Sequence, residues 1–430
     1  MMQRGFLGQT TPPSMVLRDI VERHAQHAAF LWTMRDAAVR SPNYDLEALN
    51  RVDERLDANL DGLRVAGDVG WEIAKDALGN DNGGELFVVT VLALEREDVK
   101  ALAQLLSRGF NAAKLAREIV SALGWLPFGK AKRYLDELLS ADAPPELNYF
   151  GIAGAAVHRY DPGDVLESAA YAQCLRVRAR ALRAIGELGR VSLLSAVRGS
   201  YLPEDDDCRF WAAWSGVLFG ETAALDVLWK FVLGGGARAS CACKMVVRRM
   251  DLGTAAMRLR ELGASSGDKR TAMAGAAALG DMALVPWLIG CMSEPRDARL
   301  AGWAFMMLTG IDLHAQQLSR KAPVGFRSGP SDDPNDANIA RDPDTGLPWP
   351  NVDAIRAWWL RYEATWAKGQ RYLMGKPIEE TWLIEVLRKG KQPARIAAAI
   401  ELAMMARGTS IAQVCASGYV QTSTFLPQRK

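Results

Sequence analysis

Histidine is scarce in this chain, cysteine is sparse, and long apolar runs are missing. Four histidines and six cysteines are spread over 430 residues. The cysteines are Cys174, Cys208, Cys241, Cys243, Cys291 and Cys415, and most stand in apolar helical context, as in "YAQCLRV" and "LIGCM". That placement fits reduced, buried thiols and argues against a disulfide framework. Cys241 and Cys243 in "SCACK" are closer together than the usual C-x2-C of a zinc site, and no histidine lies near them in sequence. No segment approaches the roughly 20 apolar residues of a membrane helix. "ELFVVTVLALERED" is too short for one and is bounded by charge, and the opening "MMQRGFLGQTTPPSMVLRD" has no apolar core of signal-peptide length. These features predict a cytoplasmic chain without membrane insertion. An excess of one charge is missing too: 52 Lys and Arg face 50 Asp and Glu, a formal net charge of +2. Near-neutrality removes the global pull toward nucleic acid or anionic membrane, and leaves only a local stripe as a basis for either.

What the chain has in quantity is helix-forming residues in a recurring order. Small-residue helices end in an apolar residue plus a break at "SALGWLP" (Gly124), "GELGRVS" (Gly189), "VLFGETA" (Gly220), "RRMDLGT" (Asp251), "AALGDMA" (Gly280) and "MLTGIDL" (Gly310). The later breaks are about 30 residues apart. A degenerate break falls at "VHRYDPGD" near Asp161, and earlier ones at "LALERED" near Leu94 and "RVAGDVG" at Gly67. Apolar residues follow each break at helical spacing, as Leu194 and Val197, Leu225 and Leu228, and Val285 and Leu288 do. Gly or Asp at a break suits the end of one helix or the cap of the next, with positive φ expected at Gly280. A helix pair of this length cannot bury its apolar face alone, whereas stacked pairs can. The expected fold is all-α, an α-solenoid of short HEAT-like helix pairs. The tetratricopeptide and ankyrin signatures do not occur.

The expected organisation is an N-terminal helical cap over 1–66, a repeat solenoid over 67–317, a Pro/Gly/Asp-rich loop over 318–353, and a C-terminal helical cap and tail over 354–430. The loop is too long for an ordinary connection. Its stretch from Ser331 to Asp344 is expected to be the most cleavable part of the chain. In the cap, "AAFLWTMRDAA" and "VDERLDANLDGLRVAG", together with "GLPWPNVDAIRAWW" near the C-terminus, resemble an uncharacterised bacterial HEAT-like repeat family often encoded among type VI secretion genes. The resemblance covers most of the chain. It implies the fold and a setting, and brings no activity or active-site residues with it.

Motifs that carry chemistry are near misses. "GWLPFGKA" (Gly124 to Ala131) approaches the phosphate-binding G-x4-G-K-[ST] loop, but Ala131 replaces the hydroxyl residue and Pro127 interrupts it. "DPDTG" (Asp342 to Gly346) has the start of a calcium loop without its later acidic positions. His24 and His27 share a helical face but have no third ligand, and His158 and His314 have no nucleophile motif. No catalytic, cofactor-binding or metal residue is therefore expected, and no cofactor. Trp32, Arg35, Asp36, Asp53, Arg55 and Asp61 read as an ion-pair network locking the first two helices. Trp211, Trp214, Trp229, Trp287 and Trp303 read mostly as core wedges.

One pattern points to binding. About nine or ten residues after successive breaks come Arg133, Arg198, Lys230 and Arg260. In a solenoid, equivalent positions form a ladder on one face, which makes these four a candidate binding stripe. Each also complements the dipole of its own helix C-terminus. The leading functional reading is a non-enzymatic protein-binding scaffold or adaptor linked to type VI secretion as effector, immunity or assembly partner. Its partner would be another protein, one with an acidic surface if the stripe binds it. The alternative is a nucleic-acid-binding HEAT-like protein, including a DNA base-processing enzyme, against which the near-neutral charge argues.

Overall fold

The structure is a computed structural model and describes residues 16–79, 83–140, 142–202, 205–265, 268–329 and 342–426. Among the described residues the chain is all-α apart from two short hairpins. The helices are α1 (Arg18–Ala38), α2 (Leu46–Val65), α3 (Gly67–Asp76), α4 (Gly83–Arg96), α5 (Val99–Asn111), α6 (Ala116–Trp125), α7 (Phe128–Leu138) and α8 (Pro145–His158). Then come α9 (Asp164–Ala169), α10 (Leu175–Glu187), α11 (Leu194–Gly199), α12 (Asp206–Leu218), α13 (Thr222–Leu233), α14 (Ala239–Val246) and α15 (Leu252–Ala264). Next are α16 (Lys269–Leu279), α17 (Val285–Cys291), α18 (Pro295–Thr309) and α19 (Val352–Tyr362), then α20 (Glu380–Lys389), α21 (Gln392–Met405) and α22 (Gly418–Phe425). The strands are β1 (Ser319–Arg320), paired antiparallel with β2 (Trp349–Pro350), and β3 (Tyr372–Leu373), paired antiparallel with β4 (Lys376–Pro377).

The chain divides into two compact units. The first holds residues up to Asp36 together with Arg51–Trp125. Its centre is α4, which is buried from Leu86 to Leu94 and packs on α3, α5 and α6. A helix apolar on every side must be enclosed, and "ELFVVTVLAL" is such a helix. Trp32 stacks on Phe87 with ring centres 5.2 Å apart, and Trp125 meets Phe87 edge-on. The mixed-charge set behaves largely as expected. Arg35 grips Asp53 through both carboxylate oxygens, with both residues buried, Arg117 pairs with Asp36, and Arg64 pairs with Asp57, Asp61 and Glu95. Arg55 is exposed.

The second unit holds Ala37–Asn50 and the chain from Leu126 onward. Here α8, α10, α12, α14, α16 and α18 pack each upon the next. Between them, α7, α9, α11, α13, α15 and α17 each pack against a member of that series. The members of the series are alanine-rich and deeply buried, as in α16, where Ala272 to Leu279 are all buried. Small side chains let helix axes approach closely. The intervening helices bury a narrower face: α13 buries only Ala224, Leu228 and Val232.

The breaks fall largely where the sequence places them. Gly189, Gly220, Gly280 and Gly310 all have positive φ, from +69° to +81°, immediately after or one residue beyond their helix ends. The degenerate break is made by Arg159, which takes the left-handed conformation without being glycine. Asp251 is a side-chain cap, accepting from the Thr254 amide at 2.9 Å. Gly124 is different: it lies inside α6, and the chain turns instead at Leu126 and Pro127, which caps α7.

The stretch from 318 to 353 is not without structure at its flanks. Besides the β1–β2 pairing, Arg299 of α18 donates to both carboxylate oxygens of Asp342, at 2.7 and 2.8 Å, and lies over the Trp349 ring. Arg270 of α16 holds Asp344. Most of the stretch from Ser331 to Asp344, up to residue 341, lies outside the described residues. Beyond α19, residues 371–413 run past the C-terminal ends of several helices in the series. Ile411 N donates to Glu187 O, Arg371 to Leu279 O, and Met374 N to Met307 O. The C-terminal residues thus serve most of the second unit, not just its last helix pair.

Candidate functional site

The four residues of the basic ladder lie on α7, α11, α13 and α15, helices that alternate with the alanine-rich series. All four are exposed. Three have local partners. Arg133 lies over the ring of Tyr134 at 4.8 Å. Arg198 makes a two-point ion pair with Glu221, at 2.7 and 3.0 Å, so its charge is matched across the turn. Arg260 donates to the Ala283 carbonyl at 2.9 Å. Among the described residues the Lys230 side chain makes no hydrogen bond or ion pair.

A second pattern follows the buried series itself. Arg176 of α10 lies 4.7 Å over Tyr149 of α8, and Arg183 of α10 lies 4.5 Å over Trp211 of α12. Trp211 meets Trp214 edge-on, with ring centres 5.7 Å apart. On α15, Arg258 lies over Trp229 of α13. Guanidinium faces on aromatic rings are favourable when partly desolvated. Of the five tryptophans expected as core wedges, only Trp214 is buried; Trp211, Trp229, Trp287 and Trp303 keep part of their surface. Trp287 still seats its ring against Gly263 of α15, where a Cβ would meet it.

Two carboxylates, Glu401 buried and Glu187 partly buried, organise the C-terminal ends of the series. Glu187, at the end of α10, accepts from Arg180 and Arg183, both at 2.8 Å. Burial raises its pKa, but Arg180, Arg183 and Arg159 outweigh that and hold it at about 2. Glu401 of α21 is 3% exposed and accepts from Arg248 at 2.5 Å and from Arg371. Burial again opposes its ionisation, and the two guanidiniums keep it below the ordinary glutamate range. Arg248, Arg249, Arg371, Gln370 and Glu401 line a cavity of about 350 Å³, with Ile378, Met404 and Met405 on its apolar side.

The near-miss motifs resolve into structural roles. Lys130 and Ala131 of "GWLPFGKA" lie within α7, and none of the described strands precedes them. Asp342 and Asp344 are occupied by arginines, as described above. No group of three or more His, Cys, Asp or Glu side chains that could hold a metal ion occurs among the described residues. His24 bonds Asn59 at 3.1 Å and His27 is exposed. His158 packs on Phe128. His314 bonds the Ser319 hydroxyl at 2.8 Å on an exposed turn, a pairing its sequence neighbourhood does not announce. Cys241 and Cys243 share one turn of α14, and burial raises both thiol pKa values, that of Cys243 to about 12. A thiol so raised is inert.

No protein-family model, no curated protein and no solved structure matches this chain.

Proposed function

We propose that this chain is a non-enzymatic protein-binding scaffold or adaptor, built as an α-solenoid of short HEAT-like helix pairs. The serial packing of α8 through α18, with one intervening helix for each step, supports that architecture. Stacked pairs present extended surfaces made of equivalent positions, and binding is the use such surfaces serve. The observation that carries the reading is the recurrence of arginine on half-exposed aromatic rings across α8, α10 and α12, successive members of the buried series: Tyr149 with Arg176, then Arg183 with Trp211. Tyr, Trp and Arg are the residue types that dominate binding energy at protein interfaces. They are pre-positioned here by their own stacking, which lowers the entropic cost of engagement. The partner is a protein with an acidic surface, met by these arginines and by the ladder of Arg133, Arg198, Lys230 and Arg260. A type VI secretion assembly is the setting the sequence resemblance points to.

The test compares two variants as bait in the native lysate, after circular dichroism shows that each is folded. One carries Tyr149→Ala with Trp211→Ala; the other reverses the four ladder charges to Glu. Loss of a specific protein by the first variant supports the aromatic surface. Loss by the second alone transfers binding to the ladder. Retention of every partner by both overturns the reading, and salt-dependent loss of DNA retention would favour the nucleic-acid alternative.

A further inference from the structure

The cavity under residues 369–378 holds more positive charge than its own structure consumes. Three guanidiniums, of Arg248, Arg249 and Arg371, face one carboxylate, Glu401. Arg371 is fully engaged. Its Nε donates to Leu279 O at 2.8 Å, its Nη1 to Arg248 O and Glu401 at 3.2 Å each, and its Nη2 to Ala278 O and Glu401. The other two are not. Arg248 uses Nη1 on Ala278 O and Glu401, and Arg249 uses Nη2 on Leu218 O and Met404 O. The hydrogen bonds of these two side chains run through Arg248 Nη1 and Arg249 Nη2, which leaves Arg248 Nη2 and Arg249 Nη1 unbonded among the described residues, and the Nε of each is buried without a partner. Arg248 is 8% exposed. Gln370 accepts from the Tyr372 hydroxyl through Oε1, which leaves its Nε2 donor unspent at the same cavity.

Buried Arg248 shares its one carboxylate with Arg371, and half-buried Arg249 has two carbonyl acceptors but no carboxylate in contact among the described residues; donors left unspent at a cavity are met by whatever fills it. Burial lowers the pKa of Arg248 and of Arg249, and the charge of Arg371 adds to it against the opposing pull of Glu401. Arg407 adds to that field at Arg249. A compact anion is what neutralises the excess. Planar guanidiniums match the oxygens of phosphate in pairs, and a partly enclosed site strengthens those bonds relative to water. Ile378, Met404 and Met405 line the same space and offer an apolar wall to whatever carries the anion. The volume is that of a small-molecule site.

We infer that this cavity binds a phosphate group, free or carried on a small organic molecule, between Arg248, Arg249 and the Gln370 amide. The inference does not rest on the scaffold reading, since ligand binding here is measured without any protein partner. Isothermal titration calorimetry and thermal unfolding of the full chain test it. Inorganic phosphate and phenyl phosphate serve as probes, and sodium chloride of matched ionic strength as control. Saturable binding of one phosphate per chain is expected, with a rise in Tm that chloride does not reproduce. Tighter binding of phenyl phosphate identifies a carried phosphate; equal affinity identifies the free ion. Gln370→Glu keeps an acceptor for Tyr372 while placing a negative charge at the anion, and binding should weaken about tenfold or more. Met405→Glu does the same from an exposed position and decides the matter if the first variant does not fold. A Tm rise matched by chloride, or unweakened phosphate binding in a folded variant, overturns the inference.

Discussion

The amide of Tyr372 donates to the carbonyl oxygen of Gly280 at 2.8 Å, and Asp281 pairs with Arg371 beside it as a lone β-bridge. A glycine that ends one helix is thereby also the seat of a chain segment about ninety residues away. The φ of Gly280 is +74°, and a Cβ there would press on the Tyr372 carbonyl oxygen. Gly220 has a similar φ, +81°, with open space around it.

That contrast predicts different costs for the same change. Gly220→Val should lose about 1–2 kcal/mol, from backbone strain alone. Gly280→Val should lose about 2–5 kcal/mol, because strain and steric overlap with a backbone oxygen add. Denaturant unfolding of both variants measures the difference. Equal losses would mean that the Tyr372 contact costs nothing to displace.

Glu401 is the one carboxylate that both Arg248 and Arg371 contact, and it and Arg248 are buried. Glu401→Gln leaves their charge uncompensated, and the expected loss is about 3–5 kcal/mol at neutral pH. The folded state holds this carboxyl below its ordinary pKa. Its contribution is therefore full above the ordinary glutamate range and disappears as pH falls through the depressed value. The gap between wild type and variant should close in acid, which a pH series of unfolding curves reads directly.

Glu118 of α6 has the opposite sign. It is 6% exposed, and its Oε2 is buried without a hydrogen bond. Burial, reinforced by Asp36, raises its pKa against the pull of Arg117. A carboxyl with a raised folded pKa favours the folded state while protonated, and that advantage is lost as pH rises through the raised value. Glu118→Gln should therefore stabilise the chain at pH 7, by about 1 kcal/mol, and change little in acid. A lower Tm at pH 7 would contradict this.

Asp342 ties the stretch from 318 to 353 to Arg299, and that hydrogen bond lowers the pKa of Asp342. Asp342→Ala should speed limited proteolysis within this stretch several-fold. Cleavage at the wild-type rate would show that β1–β2 pairing and Arg270–Asp344 suffice to hold it.

The helices and most of their ends are written locally. A 3.6-residue apolar rhythm, alanine-rich faces and glycines that alone tolerate positive φ suffice to place α10, α12, α16 and α18 and their breaks, because these depend on a few neighbouring residues. The buried pair Arg35–Asp53 was legible for a similar reason, since two adjacent helices bring it together. Gly124 misled because a small residue inside a helix looks the same as one at its end, and Pro127 made the actual turn. The tryptophans read as core from sequence, yet four of the five keep part of their surface, because how much of a ring is covered depends on neighbours brought in by the fold. The cavity was not legible at all. Arg248 and Glu401 meet across 153 residues of chain, and Arg371 and Glu401 across 30. No periodicity links such positions, and each arginine alone reads as a helix-end charge. The one local signal was Glu401 itself, a lone carboxylate in the apolar run "AAAIELAMM". Burying that charge is affordable only with cations in contact, and which cations reach it was decided by the path of residues 371–413 across the helix ends.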